Sequence, residues 1–385
     1  MIGSWLSPPR VRIDANLAWL LRAAFAQVPP DEPPESADAA LELARSFELS
    51  GRVASRQRDA SGPPRNGFER ALDSDYHTNL AVDTQLRQGL EEVAEIATRH
   101  SIPLIALKFA ALTQIGALRA GSRVASDLDL LVPADSAPRL ATALLNLGFS
   151  KSGSREHSHQ LEALVGPYGA VVELHVHIPG VHVTAGGFAT ASDLLDSGLV
   201  VKAANSSILV PVPPLLAAHA LAHGLLQNRA TPQSYSLLRM LADIVDLRRI
   251  QETDLLASAE AYLAPPLSGI GAATERLCSA LCNGVSLNTE LDGEAEKLLL
   301  WHCLAARLDS AYVHRLRASG FADQLRTRHG LVAVARYVKG ALFPPQRELD
   351  AIYGQLPSRA ARLRRRWTRP FDVTLRAARH WLRSR

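Results

Sequence analysis

Asp127 and Asp129 stand one residue apart in Ser126-Asp127-Leu128-Asp129-Leu130-Leu131-Val132, where the acids alternate with leucines. Successive residues of a strand point to opposite faces, so both carboxylates share one face and Leu128 and Leu130 share the other. Two acids side by side repel each other unless a cation lies between them. The spacing points equally to a divalent-cation site and to a solvated strand face. A third acid fits the cation reading. Val171–Ile178 reads VVELHVHI, which sets Glu173, His175 and His177 opposite Val172, Leu174, Val176 and Ile178. That run follows the turn signal Gly166-Pro167-Tyr168-Gly169 and the apolar segment Leu161–Val165, so it reads as the second arm of a hairpin. Three carboxylates on neighbouring strands make an oxygen-rich site suited to Mg2+.

The frame for these acids is Ser101–Pro133, which reads strand, turn, helix, loop, strand. Ile102–Leu107 is a short apolar run, Ala110–Leu118 has helical spacing, and Gly121-Ser122-Arg123 precedes the acidic strand. Ser136–Leu147 is a helix closed by Gly148. Upstream, residues 11–28 form an amphipathic pattern, 29–34 a Pro-rich linker, Ala37–Arg56 a second helix, Arg58–Asn66 a loop and Gly67–His100 a long helix. From Pro213 onward the chain is helical. His219 and His223 share a helix face at i,i+4, with Asp243 downstream. One reading makes them a hydrogen-bonded contact with Asp243; another makes the three a metal site of the phosphohydrolase type. The fold class expected is α+β, a small mixed sheet flanked by helices. Its units are a helical cap (1–100), the α/β core (101–212), a helical domain (213–357) and an Arg-rich tail (358–385).

The 385 residues carry a net charge of +4, with 47% hydrophobic and 5% aromatic residues. That composition fits a globular chain of more than one domain. No long uncharged apolar run and no basic-then-apolar leader is present, so a cytoplasmic location is expected. Cys278, Cys282 and Cys303 have no C-x-x-C spacing and read as core thiols. His157, His159, His175 and His177 match no usual zinc spacing. The tail sets ten arginines against a single acid, Asp372, with Trp367, Phe371, Leu375 and Trp381 interleaved. It reads either as a contact for an anionic membrane or nucleic acid, or as a surface helix laying its Arg stems over the helical domain.

LIALK, then R-x-x-S-D-L-D-L-L-V, then V-V-E-L-H resembles the uncharacterised bacterial nucleotidyltransferase-like proteins of the polymerase-beta superfamily. The His219-x-x-x-His223 helix, Asp243, Phe343-Pro344-Pro345 and the Arg-rich end extend the resemblance. It implies two Mg2+ ions and an NTP substrate, with Asp127, Asp129 and Glu173 as metal and catalytic residues. Lys108, Arg123, Ser122 and Ser126 become the nucleotide-binding candidates. His175 and His177 are expected to line the pocket or to bond to phosphate or Glu173. The acceptor is open: a protein hydroxyl, a peptide, a small molecule or an RNA end. One position departs from the family. Phe109 stands where Gly usually follows Lys, and Gly there lets the backbone approach a phosphate. The competing reading is therefore a binding or scaffold protein that keeps the fold without turnover.

Overall fold

The computed structural model describes residues 8–316 apart from 154–158, 185–186, 205, 229–234, 252–253, 285–290 and 292. Beyond 316 it describes 335, 338–339, 342–343, 358, 360 and 363–371. His157, the Pro344-Pro345 pair and most of the tail's arginines lie outside these residues.

The chain opens with α1 (Ala15–Phe25), whose first turn is capped by Asp14 accepting from the Leu17 amide. The single helix expected over Ala37–Arg56 is instead two, α2 (Ala37–Ser46) and α3 (Ser50–Ser61). Phe47 and Leu49 are both fully buried, and Glu48 between them takes φ 60. In a continuous helix residues two apart face about 200° away from each other, so both could not enter one core. The break also lets Glu48 pair with Arg239 and Arg307. Residues 58–61, expected in a loop, complete α3. Then α4 (Gly67–Arg99) runs 33 residues from its Asn66 cap to the sheet.

The α/β unit follows in the order β1 (Ile105–Ala106), α5 (Lys108–Gln114), β2 (Leu128–Leu131), α6 (Ala137–Asn146), β3 (Ser150–Lys151), β4 (Leu164–Val165) and β5 (Val171–His175). After it come β6 (His177–Ile178), β7 (Ala189–Thr190), α7 (Ala191–Asp196), β8 (Val200–Lys202) and β9 (Leu209–Pro211). The helical part is α8 (Pro213–Ala222) with a π-helical turn over His223–Gln227, α9 (Leu237–Arg248), α10 (Leu255–Glu260), α11 (Ile270–Cys282) and α12 (Glu294–Leu308). A mixed seven-stranded sheet runs β3-β4-β5-β2-β1-β9-β8. β2 lies at its centre, parallel to β5 and antiparallel to β1. The protein is thus α+β, with helices on both faces of a mixed sheet.

All four residues of β2 are buried. The Leu128 face is covered by α4, which comes so close that a Cβ on Gly89 would lie 2.6 Å from the Ala170 Cβ and 3.5 Å from Leu128. α5 packs on β2 and against α8. The hairpin appears as β4 and β5, paired antiparallel. Its alternation stops earlier than the sequence suggests: the chain bends at Val176, and His177 joins β6 of a separate two-stranded sheet. Among the described residues no helix is long and apolar enough to cross a membrane. Cys278 and Cys303 are buried free thiols, and burial pushes both up.

Candidate functional site

The register of β2 on β5 puts Asp129 directly opposite Glu173, and Leu131 opposite His175. Glu173 and His175, two apart on one strand, share the face that Asp129 occupies next door. The His175 Nε2 lies 2.9 Å from Asp129 Oδ1 and 3.6 Å from Glu173 Oε2. Lys108, at the start of α5, brings its Nζ to 2.7 Å from the same Asp129 oxygen. One ligand atom each from Asp129, Glu173 and His175 lies within 4.8 Å of the others. Among the described residues this is the group of acids and imidazoles close enough to hold a metal ion.

The charges follow from that packing. Burial pushes the Asp129 carboxyl up, but the Lys108 ammonium and the His175 hydrogen bond outweigh it and hold Asp129 well below the usual range. Burial pushes His175 down, while its bonds to Asp129 and Glu173 raise it above an ordinary imidazole. Asp127 sits just before β2 and is half-buried. It is pushed up to about 6, by burial first and then by the negative charges of Asp129 and Glu173, against the pull of Lys108 and Arg123. The acids therefore carry repulsion that one Lys does not relieve.

The turn into α5 differs from expectation in which residue bears it. Lys108 takes φ 44, a left-handed conformation, and Phe109 does not. Phe109 lies inside α5 at 3% exposure, with the Arg123 guanidinium 5.8 Å from its ring centroid. It is a core residue and takes no room from the turn. Arg123 is buried as well and grips Asp243 with both arms of its fork, Nε to Oδ1 at 2.8 Å and Nη2 to Oδ2 at 3.0 Å. Ser122 is buried and donates its hydroxyl to the Arg119 carbonyl, while Ser126 is exposed beside Asp127.

Because Asp243 is committed to Arg123, it does not make the contact expected with His219 and His223. Those rings lie 6.2 Å apart. His223 meets Tyr235 edge-on at 4.6 Å and Asn228 by hydrogen bond, and the His219 Nδ1 is buried without a partner. Burial, and then the nearby Lys108 charge, push His219 down to about 3 and hold His223 well below its ordinary value. The three residues proposed as a phosphohydrolase metal site do not gather into one. With Lys108, Arg123 and Tyr235 they line a space of about 20 Å³ behind the acidic cluster, room for a single water. The Arg123–Asp243 pair has no signal in the sequence, since 120 residues separate the partners. The place of His175 does have one, its shared strand parity with Glu173.

Residues 33–262 match the protein family described as "Uncharacterised nucleotidyltransferase". No curated protein matches the chain, and no solved structure does.

Proposed function

The chain belongs to the uncharacterised nucleotidyltransferase family, and from that premise we propose that it moves a nucleoside monophosphate from an NTP to an acceptor in a Mg2+-dependent reaction. The observation that carries this reading is the β2–β5 register, which sets Glu173 against Asp129 on one strand face. The donor set fits the metal: carboxylate oxygens of Asp129 and Glu173 gather with His175, and Asp127 beside them is raised by burial and then by their negative charge. Asp127, Asp129 and Glu173 would hold Mg2+, two ions in the family's pattern. Bound there, the ions would supply positive charge against the triphosphate.

The chain's own residues do the rest. Lys108 holds an ammonium against Asp129, from where it would meet a phosphate oxygen of the NTP. Glu173, the less buried of the paired carboxylates, accepts the proton of the attacking acceptor hydroxyl. The acceptor oxygen bonds to the α-phosphorus as the bond to the leaving pyrophosphate breaks. His175 orients both carboxylates, and the Arg123–Asp243 pair fixes the loop that delivers Asp127. Ser126 remains a surface contact for the nucleotide.

The test is incubation with α-labelled NTPs, Mg2+ and cell extract, followed by a search for labelled protein, peptide, small molecule or RNA. Label that disappears with a chelator and in Asp127→Asn/Asp129→Asn supports the reading. NTP binding that is equal in wild type and double variant, with or without Mg2+, overturns it.

A second reading concerns the partner of the C-terminal segment. Residues 363–371 are helical, and Leu363, Trp367 and Phe371 repeat every four residues at 51%, 69% and 73% exposure. That spacing forms one apolar stripe, beside Arg364, Arg365, Arg366 and Arg369. We infer that the stripe lies in the interface of an anionic lipid surface, with the arginines meeting headgroups. Deleting 358–385 should abolish sedimentation with phosphatidylglycerol vesicles and leave phosphatidylcholine unaffected. Retained sedimentation, or a loss of RNA binding alone, would refute it.

A further inference from the structure

At the C-terminal end of α9, with none of Asp127, Asp129 or Glu173 in its walls, lies a cleft of about 300 Å³. Its walls come from α3, the C-terminal end of α9 and the loop between α5 and β2. Arg52 and Arg56, an i,i+4 pair on α3, face it together with Arg249 and Arg119; the acids are Asp246 and Asp59. The volume is at the lower end for a small-molecule site.

The guanidiniums are only partly employed. Arg52 donates Nε to the Ala24 carbonyl at 2.8 Å and Nη1 to Asp246 at 2.5 Å, closing the end of α1. Its Nη2 is buried with no partner, in a residue 5% exposed. Arg56 donates Nε to the Ala23 carbonyl and Nη2 to that of Ala26. Arg249 lends Nη1 to Asp246 at 3.2 Å and is otherwise half exposed. Arg119 pairs with Asp59 at the rim, where both are more than half exposed. Around the single carboxylate of Asp246 the cleft thus gathers three guanidiniums: Arg52 buried, Arg56 partly buried and Arg249 half exposed. Burial, and then repulsion from Arg52 and Arg249, push Arg56 down to about 10. The unpartnered Arg52 guanidinium nitrogen, the one held away from water, is costly unless an acceptor joins it. The planar forks match phosphate oxygens. Ser55, buried on the same wall, adds a hydroxyl.

We propose that this cleft binds a phosphate-bearing small molecule, as a site separate from the acidic cluster. The assignment does not depend on the transferase reading. α9 serves both sites from one face: its Asp243 holds Arg123, and its Asp246, one turn further on, holds Arg52. The loop between α5 and β2 does likewise, through Arg123 and Ser122.

Calorimetric titration of the full chain tests it, with pyrophosphate, AMP and a sugar phosphate, in chelator and without Mg2+. The probe that binds tightest identifies the source of the phosphate. The variants are Arg249→Gln and Arg119→Gln/Arg249→Gln, whose replaced side chains are half exposed, with circular dichroism confirming the fold. At least one probe should bind one-to-one, weaken about tenfold or more in Arg249→Gln, weaken further in the double variant, and bind unchanged in Asp127→Asn/Asp129→Asn. Binding absent below tens of millimolar, indifferent to Arg249→Gln, or lost in the Asp double variant would overturn the proposal. The last result would move the anion to the acidic cluster and leave the transferase reading standing.

Discussion

On β2 and β5, Asp129, Glu173 and His175 gather within reach of one ion. On α8 and the π-helical turn that follows it, His219 and His223 also stand close, yet Asp243, the acid that would complete them, is held by Arg123. The two regions offer similar side chains and differ in the cation that reached the carboxylate. Lys108 touches Asp129 through one nitrogen and one oxygen, so other lone pairs stay available. Arg123 takes both oxygens of Asp243 in a fork, which turns the carboxylate away from the histidines, and burial and then the Lys108 charge hold these low. Strand register brings groups together whatever their neighbours do, whereas a helix pair becomes a site only if its third member is not already claimed.

Asp129→Asn tests the comparison hardest. It should reduce NMP transfer at least about a hundredfold, because the acid lies at the centre of the proposed metal group. The assay is label transfer at saturating NTP and Mg2+, and activity within tenfold of wild type would break the contrast. Arg123→Ala leaves Asp243 buried and unpaired, and should cost about 3–5 kcal/mol in urea unfolding. A loss below about 1 kcal/mol would mean that the histidines or water take over the carboxylate.

The histidines give a pH signature. His219 is held near 3 when folded, against about 6.5 unfolded. Between those values the unfolded chain binds the extra proton, so stability is full above about pH 6.5 and falls as pH drops towards 3. The slope from His219 alone reaches about 1.4 kcal/mol per pH unit. His219→Leu should flatten the melting temperature between pH 6.5 and 4; an unchanged slope would show the imidazole to be protonated in the folded state. The smallest effect expected is at Lys108, whose φ of 44 suits Gly. Lys108→Gly should be about 1 kcal/mol more stable than Lys108→Ala, with both losing nucleotide affinity alike. Equal stabilities would place the strain elsewhere.

What could be seen in the sequence was set by how local its cause is. Alternation in Ser126–Val132 and Val171–His175, with the turn between, revealed the acidic strand and the hairpin. Nothing at Phe47-Glu48-Leu49 announces a break, because its cause is distant: Arg239 and Arg307 wait for Glu48. Phe109 reads in the sequence as the residue that replaces a turn glycine, whereas its neighbour Lys108 bears the positive φ, and spacing alone does not tell the two apart. The cluster of Arg52, Arg56, Arg119 and Arg249 is scattered over some two hundred positions, and each arginine alone reads as a surface charge.

The loop ahead of Asp127 is bedded on the first helices by two glycines. A Cβ on Gly51 would come 2.5 Å from the Gly121 carbonyl oxygen, and one on Gly121 would meet Tyr76 at 2.9 Å. The Gly121 amide donates to Asp83 of α4 at 3.2 Å. Contact this close ties their unfolding together. No partly open state should lose α3 and α4 while keeping the acids in place, so the N-terminal helices belong to the same cooperative unit as the chemistry. In native-state hydrogen exchange the Gly121 amide should open with the same free energy as the Leu86–Val93 amides of α4. A seam that opened alone would instead let the loop exchange first, and the loop that leads to Asp127 would then breathe independently of the body that carries it.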